Sequence, residues 1–235
     1  MADTPQPVDF DSRPPMPVSE YEQTARRVNI GYDLLFTLVG CFLRSLRQPA
    51  LNLLVVGAGG GMEIERFLPD NPGWRLTGVD PSRDMLSLAQ AKADHLGVRE
   101  RVTLIQGTVD DLPADAHFDA ATCMFVLHFL PDEGKNSLLR GIATRLRPDA
   151  PVVVASSIRG DDGGLRDDLL GIWQHYGELM GMPAERMAST IERLVAQAST
   201  LATAEQYEQL LREAGFERVA RIFSASPGFS GWLAR

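Results

Sequence analysis

A short apolar run, Leu51–Val56, opens directly into Gly57-Ala58-Gly59-Gly60-Gly61 and then into Met62-Glu-Ile. Glycines let a backbone approach a ligand closely and take up positive φ angles. The helix start that follows offers free N–H groups and a positive dipole end. Many nucleotide-binding folds use such a turn, so spacing must narrow the reading. A dinucleotide fingerprint needs a third glycine three residues after the second, and Met62 stands at that place. A pyrophosphate site is therefore less favoured than one for a smaller, zwitterionic nucleoside. The next apolar run ends in Gly78-Val-Asp80-Pro81-Ser82. A carboxylate at a second-strand tip, about 20 residues past the glycine turn, is placed to accept from ribose hydroxyls. Capping a helix is the other role open to Asp80, and Ser82 already fills it.

A second tier of residues could touch a reacting molecule. His128 follows the fourth apolar strand, where an imidazole could take a proton near neutral pH; packing between helix and strand is the plainer alternative. Trp173, His175 and Tyr176 fall in one helical segment, with Met180 and Met182 beyond it. Over a cleft, aromatic rings could hold a flat acceptor or shield a cation, although rings at helical spacing more often pack. Tyr21, Arg27 and Tyr32 near the start carry the same ambiguity. Asp161-Asp162 and Asp167-Asp168 read as solvated charges, and neither CxxC nor HExxH occurs, so no metal is expected.

These residues need elements to position them. From Leu51 onward, short apolar runs alternate with helical segments. The runs are Leu51–Val56, Arg75–Val79, Val102–Ile105, Ala120–Phe125 and Val152–Ser156; the helices are Met62–Leu68, Arg83–Leu96 and Asp132–Leu146. Such alternation indicates a parallel sheet with helices on both faces and a ligand crevice at the carboxyl ends of the first strands. Ser82 and Gly97 bound one helix, and Pro148 follows another. Residues 1–18, with five prolines, read as a flexible or extended arm. Residues 19–47 read as two cap helices broken at Gly31, with Ser19 a cap for the first. The second is apolar almost all round, which predicts burial. After Ser157 come helices over 165–180 and 184–199, then a Thr203-Ala-Glu-Gln206 capping box, and a closing antiparallel pair, Glu217–Phe223 with Phe229–Ala234.

Composition sets limits. The net charge is −8, which disfavours broad nucleic-acid binding while leaving room for one RNA docked through a local basic patch. Cys41 and Cys123 each lie in an apolar run and read as buried thiols in a reducing, cytoplasmic compartment. Leu34–Leu43 is about half the ~20 apolar residues that a membrane-spanning helix needs. The oligomeric state stays open, a homodimer included.

The order of these loops resembles the class I, Rossmann-like S-adenosylmethionine-dependent methyltransferases over residues 51–157. Phe118–Asp132, Arg145–Val154 and Leu211-Arg-Glu-Ala-Gly-Phe216 resemble that family's fourth-strand segment, its approach to the fifth strand and its last helix. The resemblance implies a three-layer α/β fold: a seven-stranded, mostly parallel sheet with an antiparallel last strand. The N-terminal helices and a 160–200 insertion would form a lid within one domain, 19–235. It also implies S-adenosylmethionine as cofactor, S-adenosylhomocysteine as product and a small-molecule acceptor. Gly57, Ala58 and Gly59 would line the methionine part, with Met124 nearby, and Asp80 would hold the ribose. Pro81 and Met85 would pack on one face of the adenine, and Thr108 and Val109 on the other. The family often has an acidic residue where Thr108 stands, a place Asp110 could fill. Arg27–Tyr32, Leu34–Gly40, the insertion and Phe229–Arg235 further resemble the carboxy-S-adenosylmethionine synthase branch, which implies an arginine of the insertion, Arg186 or Arg193, facing the added carboxylate. A nicotinamide oxidoreductase would need the missing third glycine, and a non-catalytic cofactor-binding module is the remaining alternative.

Overall fold

The computed structural model describes residues 11–12, 17–160, 163–197, 201–225 and 228–235. Most of the proline-rich arm, Asp161-Asp162 and the end of the second inserted helix lie outside them. Among the described residues, seven strands form one sheet: β1 (Leu51–Val56), β2 (Trp74–Asp80), β3 (Val102–Gln106), β4 (Ala120–Met124), β5 (Val152–Ser157), β6 (Val219–Ala225) and β7 (Phe229–Ala234). Their order is β3-β2-β1-β4-β5-β7-β6. β1 to β5 pair in parallel, while β7 runs antiparallel to both β5 and β6. The expected doubly wound sheet with a reversed last strand is what forms.

Eight α-helices surround it among the described residues: α1 (Tyr21–Val28), α2 (Tyr32–Ser45), α3 (Met62–Phe67), α4 (Arg83–His95), α5 (Asp132–Arg145), α6 (Arg166–Leu179), α7 (Ala184–Gln197) and α8 (Ala204–Glu213). One apolar layer lies between the sheet and α2, α3 and α4, built on Leu53, Val55, Phe36 and Phe67. The other lies under α5 and α8, built on Leu54, Cys123, Ile142 and Tyr207. The central strands β1, β4, β5 and β7 are buried on both faces, as the continuous apolar runs required, whereas the edge strands β3 and β6 are largely open to solvent. Ser82 caps α4, its Oγ accepting from Met85 N at 3.1 Å, and the Thr203–Gln206 capping box forms at α8.

Three expectations need correction. Helix α2 buries only one face: Leu35, Phe36, Val39 and Leu43 enter the core, whereas Leu34 is 54% exposed and Leu38 also reaches solvent. It packs on one side of a layered fold and not in its centre. Cys41 lies on that outer side and is exposed; Cys123 is buried as expected. Ser19 does not cap α1, because a short 3₁₀ turn, Val18–Glu20, precedes the helix and Glu20 takes the cap position. Among the described residues no helix is long and apolar enough to cross a membrane.

Candidate active site

The carboxyl ends of β1, β2 and β4 meet at one rim, and backbone hydrogen bonds hold them together. Gly57 N and Ala58 N both donate to Val79 O, at 2.9 and 3.0 Å. Gly57 has φ +73°, and a Cβ there would lie 2.2 Å from Val126 Cγ2. Gly78 is equally constrained, since a Cβ would lie 2.8 Å from Ala58 Cβ. The glycine turn can therefore press against β2 and against the segment after β4 only without side chains at these places.

Asp80 stands at that tip and is 8% exposed. Its Oδ2 accepts from Gly59 N at 2.8 Å and its Oδ1 from Ser82 N at 2.9 Å. Each oxygen keeps a further lone pair for a hydroxyl of a ligand. Burial raises the Asp80 pKa, these two hydrogen bonds oppose the rise, and the Asp11 charge adds to it. Asp11 belongs to the N-terminal arm. Its carboxylate accepts from Ser82 Oγ at 2.5 Å, Arg83 N at 3.0 Å and Asp84 N at 3.2 Å, at the start of α4. Tyr21 of α1 faces Asp80 as well: burial, with the Asp80 charge adding, lifts its phenol to about 12.

Beside Asp80, Pro81 is exposed and Met85 is buried. Across from them, Thr108 and Asp111 close a capping box, with Thr108 N donating to Asp111 Oδ2 at 2.7 Å. Val109 turns into the core under α5, against Gly141. The Asp110 carboxylate also lies on the Gly141 side.

The inner wall comes from β4 and the first helices. Met124 ends β4, and Phe125 follows with φ +61°. A left-handed aromatic residue is a costly conformation of the kind that gathers at functional sites. The ring of Phe125 stacks on Tyr32, with centroids 5.3 Å apart. Burial pushes the Tyr32 phenol well above its ordinary value, and Tyr21 and Glu63 add to that.

Residues 53–149 match the family described as "Methyltransferase domain". A carboxy-S-adenosyl-L-methionine synthase of Wolinella succinogenes is 29% identical over 163 residues, covering 69% of this chain and 65% of that protein. A ubiquinone biosynthesis O-methyltransferase of Azorhizobium caulinodans is 34% identical over 134 residues, covering 55% of this chain and 50% of that one. The matches thus span about half to two thirds of these relatives' own length. The magnesium protoporphyrin IX methyltransferase of Synechocystis, solved with bound S-adenosylhomocysteine, superposes with a TM-score of 0.62 over 96% of this chain and 94% of that one. At 16% identity that likeness speaks for the fold.

Residues 53–149 thus resemble a methyltransferase domain, set in a fold shared with solved methyltransferases.

The rim brings Gly57, Ala58, Gly59, Asp80, Met85 and Met124 together with Tyr21 and Tyr32. Other residues singled out from the sequence stand apart. His128 Nδ1 lies 3.4 Å from Ser157 N and 3.4 Å from Ser156 Oγ, which in turn donates to Tyr207 Oη at 2.7 Å. A backbone N–H can only donate, so Nδ1 accepts and the ring proton sits on Nε2. Burial, with the Lys135 charge beside it, lowers the His128 pKa to about 4. Trp173 is buried between the inserted helices and α1, where its Nε1–H donates to Val28 O at 2.7 Å. The exposed imidazole of His175 pairs with Glu178 at 3.4 Å. It shares an open groove with Tyr176, Ile172 and Leu179, and no residue of the glycine turn borders that groove. Arg27 is half-exposed and forms no ion pair among the described residues.

Sequence reasoning passed over Glu63. Its carboxylate is 3% exposed, accepts from Thr122 Oγ1 at 3.4 Å, and is pushed up to about 7 by burial. A readable signal was its place four residues before Phe67, which puts both on the sheet-facing side of α3.

Proposed function

We propose that this chain is an S-adenosylmethionine-dependent methyltransferase acting on a small-molecule acceptor held beside the rim under α1 and α2. The observation that carries this reading is Asp80: a buried carboxylate locked to both the glycine turn and the start of α4, with lone pairs left for two neighbouring hydroxyls. When bound, S-adenosylmethionine supplies a methyl group activated on a sulfonium, and S-adenosylhomocysteine remains after transfer. The protein's part is then mainly alignment and exclusion of water. Asp80 orients the ribose, the Gly57–Gly59 backbone lines the amino-acid part, and Met85, Pro81 and Thr108 border the base. Val109 supports that border from the core side. Tyr21 and Tyr32 close the site from above. His128, neutral at pH 7 with Nδ1 engaged, stands apart from this rim and supplies no strong base.

A second reading rests on the Wolinella relative, a carboxy-S-adenosyl-L-methionine synthase matched over 69% of this chain. The same site would then hold a carboxymethyl sulfonium, and a cation must face the added carboxylate. Arg186 is already paired with Glu20 at 3.0 Å, whereas Arg193 is exposed and Arg27 has no ion partner among the described residues. Arg27 therefore suits that role better than Arg186.

Native mass spectrometry of freshly purified protein tests both. S-adenosylmethionine or S-adenosylhomocysteine is the expected co-purified ligand, followed by transfer of a labelled methyl group into a small-molecule fraction. The carboxylated cofactor would move the assignment to the second reading. A nicotinamide dinucleotide would overturn both.

A further inference from the structure

Apart from Asp80, the strand ends bring no charge to the rim. β1 arrives with Val55 and Val56, and β4 with Cys123 and Met124. The other carboxylate comes from a helix. Glu63 occupies the first turn of α3, immediately after Gly61, whose φ of +81° swings the chain from the glycine turn into that helix. Its partner Thr122 pairs with Val55 in the sheet and lies two residues before the end of β4, about 7 Å below the rim. Glu63 is thus buried below the rim, between α3 and β4. Among the described residues its carboxylate meets only the Thr122 hydroxyl, at a long 3.4 Å, and its own backbone N–H, and no cation stands within ion-pair distance. Lys92 of α4, the basic group that acts on it, is held by Glu22 and Glu65 at 2.6 and 2.7 Å.

A buried carboxylate without a cation is costly unless something else meets its charge. The direction of the cofactor names that something. Asp80 and the β2–β3 side take the adenosine, so the amino-acid end must reach towards β4. We infer that Glu63 is the counter-charge for the ammonium group of the cofactor, a binding role that rests on the cofactor reading above. The free carboxyl is then partly protonated at neutral pH and gives up that proton when the ammonium arrives. Other groups facing Glu63 do not compete for this role. Burial pushes the Cys123 thiol to about 12 and the Tyr32 phenol well above its ordinary value. Asp80 lies across the turn, engaged by two backbone N–H groups.

Calorimetry with Glu63→Gln tests the assignment, using S-adenosylhomocysteine and 5′-methylthioadenosine, which lacks the amino-acid end. The variant should bind S-adenosylhomocysteine about 10- to 100-fold more weakly and 5′-methylthioadenosine as the wild type does. Wild-type affinity for S-adenosylhomocysteine should rise roughly tenfold or more from pH 5.5 to 7.5, with a proton released; in the variant it should stay flat. An equal loss for both ligands, or none, would overturn the assignment. A loss with S-adenosylmethionine but not S-adenosylhomocysteine would also overturn it, placing Glu63 against the sulfonium. If the wild type bound neither ligand, the cofactor reading itself would fall.

Discussion

The two helical additions to the sheet are attached in different ways. Helices α1 and α2 are tied to the body both by the apolar face of α2, whose Leu35, Phe36, Val39 and Leu43 join the main core, and by charge: Arg26 pairs with Glu22, Asp33 and Glu65, Arg66 with Asp33, and Lys92 with Glu22 and Glu65. Their inner faces carry Tyr21 and Tyr32 to the rim. Helices α6 and α7 instead own a small core of Trp173, Met182, Met187 and Ile191, which meets the body at Val28. One indole hydrogen bond and the Arg186–Glu20 pair complete the described polar attachment. The first pair is therefore wall, and the second is an outer layer riding on that wall, which we propose as a cover. Motion of the cover should leave the cofactor contacts in place.

The largest expected effect breaks the cover alone. Trp173→Ala removes the centre of the small core and should cost about 3–5 kcal/mol of its packing. Hydrogen exchange over 166–197 should rise steeply while the sheet stays protected and S-adenosylhomocysteine affinity stays near wild type. If that affinity collapsed with the cover, the distinction between the two regions would fail.

Protonation of Glu63 should act on the wall but not on the cover. Its pKa is raised above the ordinary carboxyl value, so the associated stability is full at low pH and lost as pH rises through about 7. By pH 8 the loss should reach about 3 kcal/mol. Glu63→Gln should keep that stability, raising Tm at pH 8, and should slow exchange in α2, where Tyr32 faces the carboxylate. His128 works on the acid side. Its pKa is lowered to about 4, so stability is held above its ordinary value and falls as pH drops from about 6.5 towards 4. His128→Asn should flatten that limb in urea unfolding followed across pH. A smaller effect is expected from Lys92→Met. Its ion pairs are partly solvated, so about 1 kcal/mol is the scale, and the difference in Tm should shrink in 1 M salt.

Much of this arrangement was legible because local rules and tertiary packing agree. The apolar runs, Gly31, Ser82 and the Thr203 capping box each mark a boundary that backbone geometry enforces. Asp80 was legible by spacing, since a strand tip after a glycine turn has one place to point. What escaped was direction. Val109 could face base or core, and α5 draws it inward. Trp173 could face a ligand or a helix, and the Val28 carbonyl captures it. Helix α2 looked buried all round because hydropathy records composition and not the number of neighbours. Glu63 was hidden by the habit of placing carboxylates in solvent, although its spacing from Phe67 pointed inward.

The central claim is that Asp80 anchors the cofactor, and calorimetry on wild type and Asp80→Ala tests it most directly. Wild type should bind S-adenosylhomocysteine at one site per chain, and the variant should lose about 100-fold or more of that affinity while keeping its fold by circular dichroism. Binding that survived the substitution unchanged would contradict the placement of the site.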